Sequence, residues 1–173
     1  MPVDLKKLLE LAHRVFEDVK APHALMGAFA MSVHGYQRAT NDIDFLVHGD
    51  YKKVVETEFL KFGFKAFHKT EEVLQLSGIG SLDIIFANRP LSQKMLTKNL
   101  PQIQGVPCLL PEDIIGLKIQ AIANNKNRRL RDLADIQSLA EKCRDLNWAE
   151  IKQYADLFDL WDEFKAIKDN IER

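Results

Sequence analysis

Two acids, two residues apart at the head of an apolar run, constrain this chain more than any other feature. Asp42-Ile43-Asp44 leads directly into Phe45-Leu46-Val47. In a strand, alternate side chains share a face, so Asp42 and Asp44 point together while Ile43, Phe45 and Val47 point into a core. Upstream, a short apolar run (Ala24, Leu25, Met26) stops at Gly27, and a turn or helix fills the interval before the acids. Two carboxylates on one face repel unless a cation lies between them. Hard cations such as Mg²⁺ take carboxylate oxygens together with substrate phosphates. A glycine just ahead of the pair allows a phosphate close to the backbone. These parts together imply a metal-dependent nucleotide site; a bare Asp-x-Asp is also compatible with a strand edge carrying solvated acids.

The elements around that pair read as follows. Asp4 caps a first helix whose Leu5, Leu8, Leu9, Ala12 and Phe16 fall on one face, with Pro22 expected to end it. Residues 23–27 read as a strand, 28–35 as a helix and 42–48 as the second strand. A helix over 51–61 stops at Gly63. Residues 64–67 and 73–76 read as paired strands. Residues 82–87 are rich in β-branched and aromatic side chains and form the clearest strand. Residues 105–109 suggest one more short strand. Pro111 stands where a helix's first turn accepts proline, and helices follow over 111–124, 131–143, 148–157 and 159–171. The chain is therefore mixed first and all-helical afterwards: an α/β (α+β) core over residues 1–110, with a helical part over 111–173 packed on it.

Asp83 is a third acid of interest. Leu82, Ile84 and Phe86 share one face of its strand and Asp83 takes the other. An unpaired charge in so apolar a strand is costly. A cation shared with Asp42 and Asp44 removes that cost, and so does a loop cap or a lysine partner.

The ordered set of strand, glycine, helix, Arg38-Ala39-Thr40, and then Asp42-Ile43-Asp44 resembles the nucleotidyltransferase superfamily with the DNA polymerase β fold. It resembles most its small prokaryotic members of the AbiEii type, found in toxin–antitoxin and abortive-infection systems. The likeness continues in Pro111-Glu112-Asp113-Ile114-Ile115-Gly116-Leu117-Lys118 and Arg131-Asp132-Leu133-Ala134-Asp135, and it covers residues 22–140. The resemblance implies a small mixed-sheet core, an NTP substrate and Mg²⁺ or Mn²⁺ held by Asp42, Asp44 and Asp83. Asp83 is then at or near the general base. Two ions about 3.5–4 Å apart would clamp the attacking and leaving oxygens. Gly27 and Ala28 fill the family's Gly-Ser position, with alanine in place of the phosphate-binding serine. Arg38 either holds a phosphate through two parallel hydrogen bonds or pairs with Asp42 or Asp44. Thr40 binds near the nucleotide, or Thr40 and Asn41 simply turn the chain into its strand. Lys118 faces either solvent or a substrate phosphate. Asp132 and Asp135, three apart on a helix, share a face that either orients Lys118 or an arginine by salt bridge or carries ordinary surface ion pairs.

Composition bounds the alternatives. The 173-residue chain has 24 basic and 25 acidic residues, a net charge of −1 that argues against a broadly basic nucleic-acid coat. Lys126-Asn127-Arg128-Arg129-Leu130-Arg131 is the one dense basic run. It is either an RNA contact, tRNA included, or a solvated loop between helices. His34 reads as a pocket residue or a structural hydrogen-bonder. Trp148, Phe158, Trp161 and Phe164 read as helix packing. Cys108 and Cys143 lack metal or disulfide spacing. No run has the apolar length of a membrane span, and the charged, amphipathic residues 1–10 lack a signal-peptide core, so a cytoplasmic protein is expected. Two functions fit: transfer of a nucleoside monophosphate from an NTP to a hydroxyl of RNA, protein or a small molecule; or a catalytically weak module of the same fold that binds nucleotide or a cognate toxin or antitoxin. A third, a nucleic-acid-binding protein working through the basic run, has little support from the net charge.

Overall fold

The structure is a computed structural model and describes residues 4–173. The first three residues of the amphipathic N-terminal stretch lie outside the described residues. The chain divides into two compact units. One comprises Met1–Ala30 with Arg38–Leu109, and the other Met31–Gln37 with Leu110–Arg173.

The first unit is built on a five-stranded sheet. Its strands are β1 (His23–Met26), β2 (Asp42–His48), β3 (Lys65–Lys69), β4 (Val73–Ser77) and β5 (Ser81–Ala87), in the order β1-β2-β5-β4-β3. All neighbours are antiparallel except β2 and β5, which run parallel. Both central strands follow the alternation expected from sequence: Ile43 and Phe45 of β2, and Leu82, Ile84 and Phe86 of β5, are buried, while the three acids between them are half-buried.

The helices α1 (Leu5–Asp18) and α3 (Lys52–Lys61) supply apolar cover. Phe16 of α1 meets Phe45 of β2 at 4.9 Å and Phe59 of α3 at 5.5 Å between ring centroids, both edge to face. Edge-to-face contact is the geometry that aromatic quadrupoles favour. Asp4 caps α1 through a bond from the Lys7 amide at 3.2 Å. The helix stops at Asp18, short of Pro22: Lys20 takes φ +57 and the Ala21 amide closes back onto the Phe16 carbonyl at 2.9 Å. Hydrogen bonding back to the last turn ends this helix before proline is reached. A six-residue helix, α4 (Pro90–Met95), and the two-residue strands β6 (Gln102–Ile103) and β7 (Val106–Pro107) complete this unit. The edge strand β3 is exposed along its whole length.

Short helix α2 (Gly27–Val33) begins in the first unit, and residues 31–33 cluster with the second. The second unit otherwise consists of α5 (Pro111–Asn124), α6 (Arg129–Lys142), α7 (Trp148–Asp156) and α8 (Trp161–Ile171). Pro111 opens α5. Three contacts tie α5 to α7 and its cap. Glu112 Oε1 accepts the Asn147 amide at 2.8 Å, and Asn147 in turn caps α7 by accepting from Glu150 N at 3.3 Å. A Cβ added at Gly116 would lie 2.5 Å from the Tyr154 ring, so glycine here is what lets the ring lie against the helix. The Tyr154 hydroxyl donates to the fully buried Asp113. Much of the sequence run from Pro111 to Lys118 is thus accounted for by packing within this unit.

Candidate active site

Asp42, Asp44 and Asp83 come together. Parallel pairing sets Asp44 directly beside Asp83 and Asp42 beside Ser81. Because register-paired residues of parallel strands share a face, all three acids leave the sheet on the same side. One carboxylate oxygen from each lies within 4.8 Å of the others.

Three local devices hold them. The Thr40 hydroxyl bonds to Asp42 Oδ1, so the turn residue anchors the first acid. Gln75 on β4, in register opposite Asp83, donates its Nε2 hydrogen to Asp83 Oδ2 at 2.8 Å. Gly27 has φ +66, and a Cβ there would fall 2.1 Å from Asp44 Oδ2. Glycine at this turn is therefore demanded twice: by the left-handed backbone, which L side chains avoid, and by a carboxylate occupying the volume of a methyl group. The sequence suggested that this glycine admits a phosphate; the structure gives it the prior task of admitting Asp44.

The neighbouring residues divide. Ala28 is buried, at 2% exposure, so its side chain is enclosed and only its backbone is available at the turn. Arg38 donates from Nη1 to the Ala39 carbonyl at 3.3 Å. Lys118 belongs to a different cluster, inside the helical unit. Its ammonium lies 3.0 Å from Asp132 Oδ1 and 2.8 Å from Asp135 Oδ2, with both aspartates buried. Arg128 Nε adds a contact to Asp132 at 3.3 Å, and the Tyr36 hydroxyl stands 3.5 Å from Asp135. The basic run is partly consumed within the chain: Arg128 pairs with Asp132 and Arg129 with Glu163. The His34 carbonyl accepts a weak bond from the Cys143 thiol at 3.7 Å.

Gln75 is the site residue that sequence reasoning missed. Its one signal was position, a polar residue alternating with Leu74 and Leu76 one strand ahead of Asp83. Its partner follows only from the strand register.

A three-carboxylate donor set suits a hard divalent cation, and the cramped glycine turn leaves the acids room to converge. This architecture has solved counterparts. The antibiotic-resistance factor ANT(2'')-Ia is similar over 98% of both chains, with TM-score 0.66 at 16% identity. The lincosamide antibiotic adenylyltransferase LnuA, in its lincomycin-bound form, is similar over 83% of this chain and 100% of its own, with TM-score 0.57 at 18% identity. An antigenic nucleotidyltransferase-like protein from Paracoccidioides brasiliensis is similar over 95% and 91%, with TM-score 0.58 at 19% identity. At such identities these likenesses define the nucleotidyltransferase fold. The family follows from sequence: residues 60–172 match the nucleotidyl transferase AbiEii toxin family of type IV toxin–antitoxin systems, and the chain belongs to that family. No curated protein sequence matches it.

Proposed function

We propose that this nucleotidyltransferase is metal-dependent and moves a nucleoside monophosphate from an NTP to a hydroxyl group, with Asp42, Asp44 and Asp83 at the reacting centre. The observation that carries this reading is the convergence of the three carboxylates within 4.8 Å on one face of β2 and β5. They would hold Mg²⁺ or Mn²⁺, which when bound neutralises triphosphate charge and polarises the oxygens of the transferring phosphoryl group. The chain's own residues do the rest. Asp83, oriented by Gln75, takes the proton of the acceptor hydroxyl. The acceptor oxygen bonds to the α-phosphorus, the bond from that phosphorus to the bridging oxygen breaks, and pyrophosphate leaves. Thr40 holds Asp42 in place, while Gly27 and the backbone of Ala28 shape the turn on the nucleotide side. Arg38 supplies positive charge for a phosphate. Lys118 enters as the centre of an ion cluster in the helical unit, oriented by Asp132 and Asp135.

The acceptor is RNA, tRNA included, a cognate toxin or antitoxin protein, or a small molecule. The structurally similar ANT(2'')-Ia is known in complex with adenylyl-2"-tobramycin, a small-molecule product. Both cysteines are free thiols, which is compatible with the cytoplasmic setting we infer. Among the described residues no helix is long and apolar enough to cross a membrane. One feature favours the second reading, a weakly catalytic binding module: position 28, which the resembled family fills with a phosphate-binding serine, is here a buried alanine.

The deciding experiment incubates the protein with each labelled NTP, Mg²⁺ or Mn²⁺, and in turn total RNA, a cognate partner protein and an aminoglycoside. Label transfer that disappears in Asp44→Asn establishes the enzyme and names the acceptor class. Nucleotide binding without transfer to any acceptor establishes the module.

A further inference from the structure

A second cluster of metal-ligand side chains lies in the first unit, built from α1 and β1. His13 and Glu17 are one helical turn apart on α1 and so present their side chains on the same face. His23 is the first residue of β1. One ligand atom from each of the three lies within 4.8 Å of the others. We propose that His13, Glu17 and His23 form a second cation site, specific for a borderline divalent metal of the Zn²⁺ class and chemically distinct from the carboxylate cluster.

The argument begins with the buried ring of His23. It is 6% exposed and packs, tilted, against Phe16 at 4.8 Å and Phe45 at 5.9 Å between ring centroids. Its Nδ1 lies 2.8 Å from the Ala21 carbonyl. A carbonyl only accepts, so Nδ1 carries the hydrogen and, in the neutral ring, Nε2 carries the lone pair. A backbone carbonyl fixing the tautomer of a rigid imidazole is the outer-shell arrangement that metal-ligating histidines use. Burial pushes this imidazole below its ordinary range, with the nearby His13 adding to the effect; the Ala21 carbonyl and Glu17 oppose it. The neutral ring is the form that binds metal.

The lone pair of His23 points at His13, whose Nδ1 is 2.8 Å from His23 Nε2. A proton bridges the rings at that distance. With Zn–N bonds of about 2.0–2.1 Å, two nitrogens of a tetrahedral site stand roughly 3.3 Å apart. Replacing the bridging proton by a cation therefore asks the rings to part by about half an ångström. His13 is the ring able to move, being half-buried on a helix surface. Glu17 is exposed and supplies an anionic oxygen. Two imidazoles and a carboxylate match the borderline metals, whereas Mg²⁺ and Mn²⁺ prefer the all-oxygen set on the sheet. Three protein ligands leave one tetrahedral position, and Glu17 and His23 both line a cavity of about 380 Å³ that also carries Lys98 and Asn99. That cavity can supply water or a small anion as the fourth ligand.

The test uses the full chain, stripped of metal with a chelator and titrated with ZnCl2 in excess Mg²⁺ by calorimetry, with thermal melting in parallel. The expected result is one zinc bound per chain, a higher melting temperature, and visible absorption of tetrahedral type when Co²⁺ replaces zinc. His13→Ala and Glu17→Gln should each weaken zinc binding by at least the roughly 10–100-fold that outer-shell partners carry. The double variant Asp42→Asn/Asp44→Asn should bind zinc as the wild type does, which separates this site from the proposed catalytic one. Absence of zinc binding overturns the proposal. So does binding that survives in both His13→Ala and Glu17→Gln, or that disappears in the aspartate double variant. Glu17 is exposed, so Glu17→Gln remains decisive even where His13→Ala perturbs α1.

Discussion

Aspartates occupy two contrasting settings in this chain. In the helical unit, Asp132 and Asp135 are buried and closed around a cation the chain itself provides, the Lys118 ammonium at 3.0 and 2.8 Å. On the sheet, Asp42, Asp44 and Asp83 are half-buried and side by side, steadied by a threonine hydroxyl and a glutamine amide. The same residue type thus serves opposite ends. A buried carboxylate bound to an internal lysine ties two helices and has little left to offer a ligand. Half-buried carboxylates grouped on one face repel one another, and under the proposed function a cation from outside would relieve that repulsion. Removing charge should therefore weaken the fold in the first place and spare it in the second.

The largest expected effect is Lys118→Met, which strips the central cation from two buried carboxylates. It should destabilise by about 3–5 kcal/mol, the range for breaking a buried pair, as read by urea denaturation. A loss under ~1 kcal/mol would place the cluster with ordinary surface ion pairs and break the comparison. Gly27→Ala comes next. The left-handed backbone should cost about 1–2 kcal/mol, and the new methyl must displace Asp44, so label transfer should disappear as well. Transfer at the wild-type rate would show that Asp44 can stand elsewhere. Gly116→Ala should cost less on balance. Crowding the Tyr154 ring is worth about 1–3 kcal/mol, against ~1 kcal/mol returned by better helix propensity. A net gain in stability would mean that the ring shifts freely.

The smallest expected effect on stability is that of Asp44→Asn. Metal-free melting should be unchanged or slightly higher because like-charge repulsion falls, while metal-dependent transfer is lost. A clearly lower melting temperature would give the sheet acids the same structural standing as Asp132 and Asp135. The two cysteines allow each unit to be followed separately, since Cys108 belongs to the first and Cys143 to the second. Burial pushes the Cys108 thiol up to about 12. At pH 8 such a thiol is ionised to only about one part in ten thousand, and the thiolate is the reactive form. Cys108 should thus resist alkylation until its unit opens, with half-buried Cys143 labelled first. In Lys118→Met the rate at Cys143 should rise while that at Cys108 holds.

How far the sequence could carry these conclusions depended on whether a feature is local. The strand from Asp42 to His48 and the helix from Pro111 to Asn124 are both written in short-range pattern, and both stand where that pattern puts them. The mixed α/β fold was legible for the same reason. The three acids were legible as candidates because two are neighbours on one strand and the third interrupts an apolar strand. Their contacts were not. Gln75 meets Asp83 only through the β4–β5 register, and Gly27 meets Asp44 only through the β1–β2 pairing that sets Met26 beside it. Helix α4 was missed because six residues carry too little periodicity to announce a helix. Edge strand β3 was expected over 64–67 and runs over Lys65–Lys69; exposed on both faces, it shows no alternation to fix its ends. The His13, Glu17 and His23 cluster escaped because a tight turn after α1, ended by hydrogen bonding rather than by Pro22, brings residues on two elements together.

The parallel pairing of β2 with β5 bears on when this protein can first act. Between those strands the chain must build α3 and the β3–β4 hairpin, so the pairing is non-local, and contacts of that kind form late. A nascent chain that has delivered β2 but not yet β5 carries Asp42 and Asp44 without Asp83. This ordering delays assembly of the three acids until β5 has been made. No fragment released from the ribosome before residue 83 carries all three acids, so the proposed site is complete only once the last strand of its sheet exists.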